Sequence, residues 1–343
     1  MSHFLRAFSA LSLVSLLSAC SINGSYPDAT EPDAAKLRFV SNTQNSTLDF
    51  FDAQHCAGRT TGMLNNSLMT DTKRRVGMIV PPPEKARGLL EVKLAPGKPL
   101  FMRINTNGGG YVCAKAISFT PEAGKEYEVT FDVAGGSCIT TFQRLQRFNG
   151  KDERIPQPMI ETPLQACAGS TPMFPKQIPE TPKRAALINT IVDTNVQLFK
   201  MMNPDTPVEP PSTPTSLEAQ IAKRKAAMGS FTLPEAYWTQ YRQNFTLLNE
   251  EAAAQEARTM GLYVEVFRYR LSVTEDAVLE QWLNPTDNAT RDLVAANDKV
   301  MTAYYTNTRK SVMIEVLNHH LARMGQLDQR FDVCAHFDKC WHY

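Results

Sequence analysis

The sequence predicts an α+β chain of two domains, an N-terminal antiparallel β-sandwich followed by an α-helical bundle. Three observations carry this reading. Between residues 35 and 148, short runs alternate apolar and polar residues with period two and are separated by Gly-containing turns. Between 149 and 182 that rhythm stops and prolines accumulate. From 183 to 325 apolar residues recur at spacings of three and four, the period of a helix with one buried face. A chain of 343 residues is long enough for two such domains.

The first element is "MSHFLRAFSALSLVSLLSAC", with a weakly basic start at Arg6, an apolar core from Ala7 to Leu17 and small residues before Cys20. This is the three-part layout of a secretory leader, expected here as a signal peptide over 1–19. The apolar run is too short to span a hydrocarbon core of roughly 30 Å, which takes about 20 helical residues. The terminal "LSAC", with Leu17 three residues before Cys20 and the small pair Ser18-Ala19 between, resembles the lipobox of bacterial lipoproteins. The resemblance implies that the Cys20 thiol receives a diacylglycerol, that cleavage falls just before it, and that the new amino terminus is acylated, commonly with palmitate. Two or more chains anchor stably, each buried methylene contributing about 0.8 kcal/mol. Ser21, where Asp would signal retention at the inner membrane, implies sorting to the outer membrane, facing the periplasm. Residues 20–34, "CSINGSYPDATEPDA", then read as the lipidated cysteine and a flexible stalk.

The sandwich domain, 35–148, rests on runs such as "KLRFV", "TLDFF", "LLEVKL" and "YEVTFDV". Leu37, Phe39, Leu90, Val92, Tyr127 and Val129 fall on one face, with Arg38, Glu91 and Glu128 on the face expected to meet solvent. "APGK", "NGGG" and "EAGK" are the turns between strands; Pro96-Gly97 suits a type II turn, where Gly supplies positive φ. About seven strands at this spacing predict a small sandwich. The phrases "LAPGK" and "FTPEAGKEYEV" resemble those of transthyretin-like or carboxypeptidase-regulatory-like sandwich modules, a likeness of pattern that carries no functional residues.

Residues 149–182 read as a proline-rich connector. Thr181 and Pro182 supply an N-cap and a first helical residue for a helix whose stripe runs through Leu187, Ile188, Ile191, Val192, Leu198, Phe199 and Met202. "NPDTPVEPPSTPTS" (203–216) breaks the pattern, because five prolines cannot sit inside a helix. A charged helix is expected from Leu217. Capping boxes are expected at Thr232/Glu235 and Ser272/Glu275. The last long helix is expected to end at Gly325, giving a bundle of roughly four to six helices over 183–325. A Cys- and His-containing tail occupies 326–343.

Composition excludes some functions. Acidic and basic residues nearly cancel, for a net charge of +1, so nothing resembles the basic field of a nucleic-acid binder. Beyond Cys20, six cysteines remain, an even number that in an exported chain reads as disulfides. Six allow fifteen connectivities; the favoured set is a local Cys334–Cys340 bridge, a cross-strand Cys113–Cys138 bridge and, from the remainder, Cys56–Cys167.

Motifs for chemistry are few. In "NHHLARM", His319 and His320 follow Glu315, but Asn318 stands where a Glu-x-x-His metal motif needs its His, and H-E-x-x-H is missing. His320 falls on the apolar stripe and His319 outside it. The tail clusters Cys334, His336, Asp338, Cys340 and His342, donors that zinc or copper accepts as thiolate and imidazole; a disulfide between the two sulfurs is the competing expectation. "QHCAG" sets His55 beside Cys56, but adjacent strand residues point to opposite faces, which spoils an activated thiol. No G-x-S-x-G, P-loop or dinucleotide fingerprint occurs. Aromatic residues from Tyr237 to Tyr305 either fill a bundle core or line a groove. The expected function is therefore that of an outer-membrane lipoprotein that binds or scaffolds without catalysis and without a cofactor. Its partners are the bilayer, through acylated Cys20, and an envelope protein. The alternatives are an envelope hydrolase with a carboxylate site outside the known motifs, and a small-ligand or metal carrier acting through the tail.

Overall fold

The computed structural model describes residues 24–343 apart from 69, 109 and 203–209. The expected leader, the lipidated Cys20 and most of the proline-rich loop lie outside the described residues. The chain is an α+β mix with its strands first and its helices after. It divides into two compact units, one reaching to Pro156 and including Leu164–Thr171, the other comprising Gln157–Pro163 and Pro172–Tyr343.

Among the described residues the first unit holds nine strands: β1 (Ala35–Ser41), β2 (Ser46–Phe51), β3 (Arg59–Leu64), β4 (Gly88–Leu94), β5 (Leu100–Gly108), β6 (Tyr111–Phe119), β7 (Glu126–Ala134), β8 (Ser137–Phe148) and β9 (Lys151–Pro156). They form a five-stranded sheet in the order β4-β1-β7-β8-β9 and a four-stranded sheet in the order β3-β2-β5-β6. All neighbours are antiparallel except β1 and β7, which run parallel. The exception to the expected pattern arises because the chain leaves β1 for the other sheet and re-enters beside it, and a parallel neighbour requires such a crossover. Gly97, Gly110 and Gly124, at the three expected turns, all have positive φ. The strand after β8 extends the unit beyond 148 into the stretch expected to be connector.

The alternation places Leu37, Phe39, Leu90, Val92, Tyr127 and Val129 in the core as expected. The opposite face departs from expectation. Arg38 is 1% exposed, Glu128 1% and Glu91 5%. The reason is the segment 74–81, which lies over this face and is held there by its charged side chains. Lys36 Nζ donates to the Gly77 carbonyl at 2.7 Å and Arg38 to the Val80 carbonyl at 2.7 Å. Arg147 and Arg154 donate to the carbonyls of Ile79 and Pro81. In return the Glu91 and Glu126 carboxylates accept the Val76 and Ile79 N–H groups. Period two alone cannot foresee this cover, because the covering segment is itself aperiodic.

Among the described residues the second unit holds six α-helices: α1 (Pro182–Met202), α2 (Pro214–Ala227), α3 (Glu235–Ala253), α4 (Gln255–Ser272), α5 (Asp276–Leu283) and α6 (Asn288–Arg330). Ile188, Ile191, Val192 and Phe199 of α1 pack with Tyr263, Phe267, Leu279, Met301 and Tyr305 in one core, whereas Leu198 is largely exposed. Thr181 caps α1 as expected, its Oγ1 accepting the Arg184 N–H at 3.1 Å. Two expected capping boxes do not form. Pro234 occupies the N-cap of α3, without a side-chain bond, and Ser272 ends α4 instead of opening α5. The carbonyls at that end are satisfied by Arg184, which donates to those of Leu271, Ser272 and Thr274 at 2.8–2.9 Å. α2 begins at Pro214, three residues earlier than expected, because Thr213 and Ser216 form a capping box.

α6 runs through Gly325 to Arg330, contrary to the expected stop. Gly325 serves close packing instead: a Cβ there would lie 3.1 Å from the Tyr343 nitrogen and 3.3 Å from the His342 backbone. Many aromatic residues of this unit pack inward, whereas Tyr269 and Tyr304 are half-buried. Tyr237, Trp238, Tyr241, Phe267 and Tyr305 are buried.

Candidate functional site

The six sulfurs form Cys56–Cys167, Cys113–Cys138 and Cys334–Cys340, the same three pairs that the sequence favours. Cys113 lies on β6 and Cys138 on β8, so that bridge joins the two sheets covalently instead of linking neighbours within one. The Cys56–Cys167 bridge fastens residues 164–171 to the β2–β3 turn.

The metal-carrier candidates are accounted for otherwise. Cys334 and Cys340 are bonded to each other, which removes both thiolates. His336 stacks on Phe231 with ring centroids 4.7 Å apart, and His342 lies in the tail segment packed over Gly325. Among the described residues no group of three or more His, Cys, Asp or Glu side chains is arranged to hold a metal. The tail instead serves Asp328, which is fully buried and accepts from Arg224 at 2.7 Å, Tyr237 Oη at 2.6 Å and the Trp341 N–H at 2.6 Å. His320 is buried against Phe245 and Trp341, and burial holds its ring below the ordinary pKa. His319 is half exposed, 3.9 Å from both Glu251 and Glu315; those carboxylates are engaged by Arg323 and Arg258.

A concave site forms elsewhere, in the sheet unit, where the described chain begins. Residues 24–31 are pinned to the strands instead of extending as a stalk. Gly24 packs so closely on β3 that a Cβ would meet the Thr61 backbone at 2.1 Å. The Tyr26 N–H donates to the Thr60 carbonyl at 2.9 Å, and its ring packs 4.7 Å from that of Phe50. Asp28 accepts the Lys93 N–H at 2.8 Å and pairs with Arg74 at 2.8 Å. This segment forms one wall of a pocket of about 350 Å³; the turn at 52–55 and the turn at 95–100 complete it.

The 52–55 turn carries the pocket's most ordered chemistry. Asp52 Oδ1 accepts the N–H groups of Gln54 and His55 at 2.7 and 2.8 Å. Both Asp52 carboxylate oxygens lie 3.0 Å from His55 Nδ1. Burial pushes the Asp52 carboxyl up, but the bonds from the His55 ring and the two N–H groups prevail and hold it below its usual range. An ionised carboxylate only accepts, so His55 Nδ1 carries a proton and donates it to Asp52. Such a pair fixes the orientation of the imidazole ring. Burial, aided by Asp28 and Asp52, raises the Tyr26 hydroxyl, which donates to the Lys93 carbonyl.

The Cys56 sulfur is consumed by its bridge to Cys167, so His55 has no neighbouring thiol to activate. Sequence reasoning singled out His55 through Cys56 and missed Asp52, Tyr26 and Glu31. The missed signal is "DAQH" directly after the strand "TLDFF", an Asp followed at two and three residues by the amides it accepts. Comparison with protein-family models and with curated proteins finds no match for the chain, so the reading of the site rests on its own residues.

Proposed function

We propose that the protein is a bacterial lipoprotein, acylated at Cys20 and held at the outer membrane facing the periplasm, that acts by binding and without catalysis. Its architecture on this reading is a β-sandwich followed by a helical bundle. The buried faces of both sheets and the Cys113–Cys138 bridge support the sandwich, and the shared core of α1, α4, α5 and α6 supports the bundle. Three disulfides fit an oxidising compartment. Among the described residues no helix is long and apolar enough to cross a membrane, which leaves the role of anchor to the acyl chains.

The observation that carries the proposal is the pinned entry segment. Tyr26 lies six residues after Cys20, at most about 20 Å of extended chain. The pocket wall is thus tied within that distance of the acylated sulfur, and binding takes place at the membrane surface. The partner is another envelope protein. With many of the bundle's aromatic residues packed inward, its contact falls to the sheet unit, where β6 is an edge strand with an exposed Val112. The test is crosslinking in intact cells from a photoreactive residue at position 112, against one at exposed Lys85. A reproducible envelope partner captured at 112 and absent at 85 supports the proposal; no reproducible partner overturns it.

A further inference from the structure

Two ionic groups on the pocket wall are opposite in sign and uncompensated. Glu31 and Lys98 both line the pocket, and neither side chain has a hydrogen-bond or ion-pair partner among the described residues. The neighbouring carboxylates are already engaged, Asp28 by Arg74 and Asp52 by His55. Asp52 also fixes the orientation of the His55 ring at the pocket wall. The pocket lining therefore combines an unpaired anion, Glu31, an unpaired cation, Lys98, and the apolar residues Pro27, Ala29 and Leu100. Its volume of about 350 Å³ is at the small end of ligand sites.

We propose that the pocket binds a short zwitterion, its ammonium held by the Glu31 carboxylate and its anionic end held by Lys98. A molecule charged at only one end satisfies half of this arrangement. Two sources supply such a group at a membrane surface: an ethanolamine phosphate headgroup still attached to a lipid, and a free amino acid. The inference rests on the anchored reading only for where the ligand is met; the pocket chemistry is independent of it.

The test is calorimetric titration of the full chain in an uncharged, amine-free detergent with O-phosphoethanolamine, γ-aminobutyrate, ethanolamine and inorganic phosphate. At least one of the two zwitterions is expected to bind, with ethanolamine and phosphate about tenfold or more weaker, and Glu31→Gln and Lys98→Gln are each expected to lower its affinity about tenfold, the loss of one charge-assisted contact. Exposed Lys85→Gln is the control for general charge effects. Repeating the titration in nanodiscs distinguishes the sources. Competition by phosphatidylethanolamine discs but not phosphatidylglycerol discs identifies a lipid headgroup; equal affinity in both identifies a free zwitterion. The proposal is overturned if neither zwitterion binds, if the single-charge fragments bind as well as the zwitterions, or if Glu31→Gln and Lys98→Gln bind as the parent does. An unacylated chain titrates in the same way, so failure of the anchor leaves this readout intact.

Discussion

Arg38 is the centre of the ion network beneath the segment 74–81, and its removal is the sharpest perturbation of the sheet unit. It is 1% exposed. Its guanidinium donates to Glu91 at 3.1 Å, Glu128 at 2.9 Å and the Val80 carbonyl at 2.7 Å. Arg38→Met keeps much of the stem but leaves two buried carboxylates short of their cation. Glu128 retains Arg154 at 3.2 Å, and Glu91 retains the Val76 N–H. Breaking a buried pair in this way costs about 3–5 kcal/mol. With a urea m-value of about 2 kcal/mol/M, the midpoint of the sheet unit falls by about 2 M. The three tryptophans, Trp238, Trp282 and Trp341, all lie in the helical unit. The assay is therefore hydrogen exchange read by mass spectrometry on peptides of β1 and β7 along a urea series, with tryptophan fluorescence following the helical unit. Combining Arg38→Met with Glu91→Gln and Glu128→Gln should recover much of the loss, since no uncompensated charge then remains buried. A single-variant loss below about 1 kcal/mol, or a triple variant that adds to the loss, would refute the reasoning.

The helical unit yields three further predictions. Gly325→Leu should displace the tail, whose backbone lies 3.1–3.3 Å from the added Cβ position, moving Trp341 emission to the red at a cost of about 1–3 kcal/mol; unchanged emission contradicts the packing. Asp328→Ala strands Arg224 in a buried site and should cost about 3–5 kcal/mol in a fluorescence-detected melt, so a change under about 1 kcal/mol would show the cluster to be solvated. His320 is held below its ordinary value near 6.5 by burial, with Arg323 lowering it further and the Asn244 backbone and Glu251 raising it. Its neutral form is favoured in the folded state, so its contribution is complete above pH about 6.5 and is lost as pH falls below that toward the folded pKa. His320→Phe should flatten the stability of the helical unit over this acidic window, and an unaltered pH profile would show that another group titrates.

Sequence periodicity made the larger architecture legible. Alternating Leu37, Phe39, Val129 and their partners marked the strands, and the three-four spacing of Ile188, Ile191 and Val192 marked a helix, because both periods follow from backbone geometry alone. Contacts distant in sequence were not legible. Nothing about "KLRFV" announces that the segment 74–81 covers Arg38, and nothing about Gly325 distinguishes a terminator from a close approach by residues 342–343. The capping boxes failed for a related reason: a box is a local option, and Ser272 instead ends α4, where a buried arginine from α1 holds the terminal carbonyls. At the pocket, His55 drew notice for its cysteine neighbour, whereas the geometry pairs it with Asp52. The opposing charges of Glu31 and Lys98 come from segments 67 residues apart, which no local pattern connects.

The account depends most on one sulfur, and intact mass measurement of the chain isolated from membranes reads it directly. The expected species begins at Cys20 and carries a diacylglycerol on its thiol and an acyl group on its amino terminus, with Cys20→Ala releasing the chain from the membrane fraction. A chain that retains residues 1–19, or one that begins elsewhere with no lipid on Cys20, contradicts it.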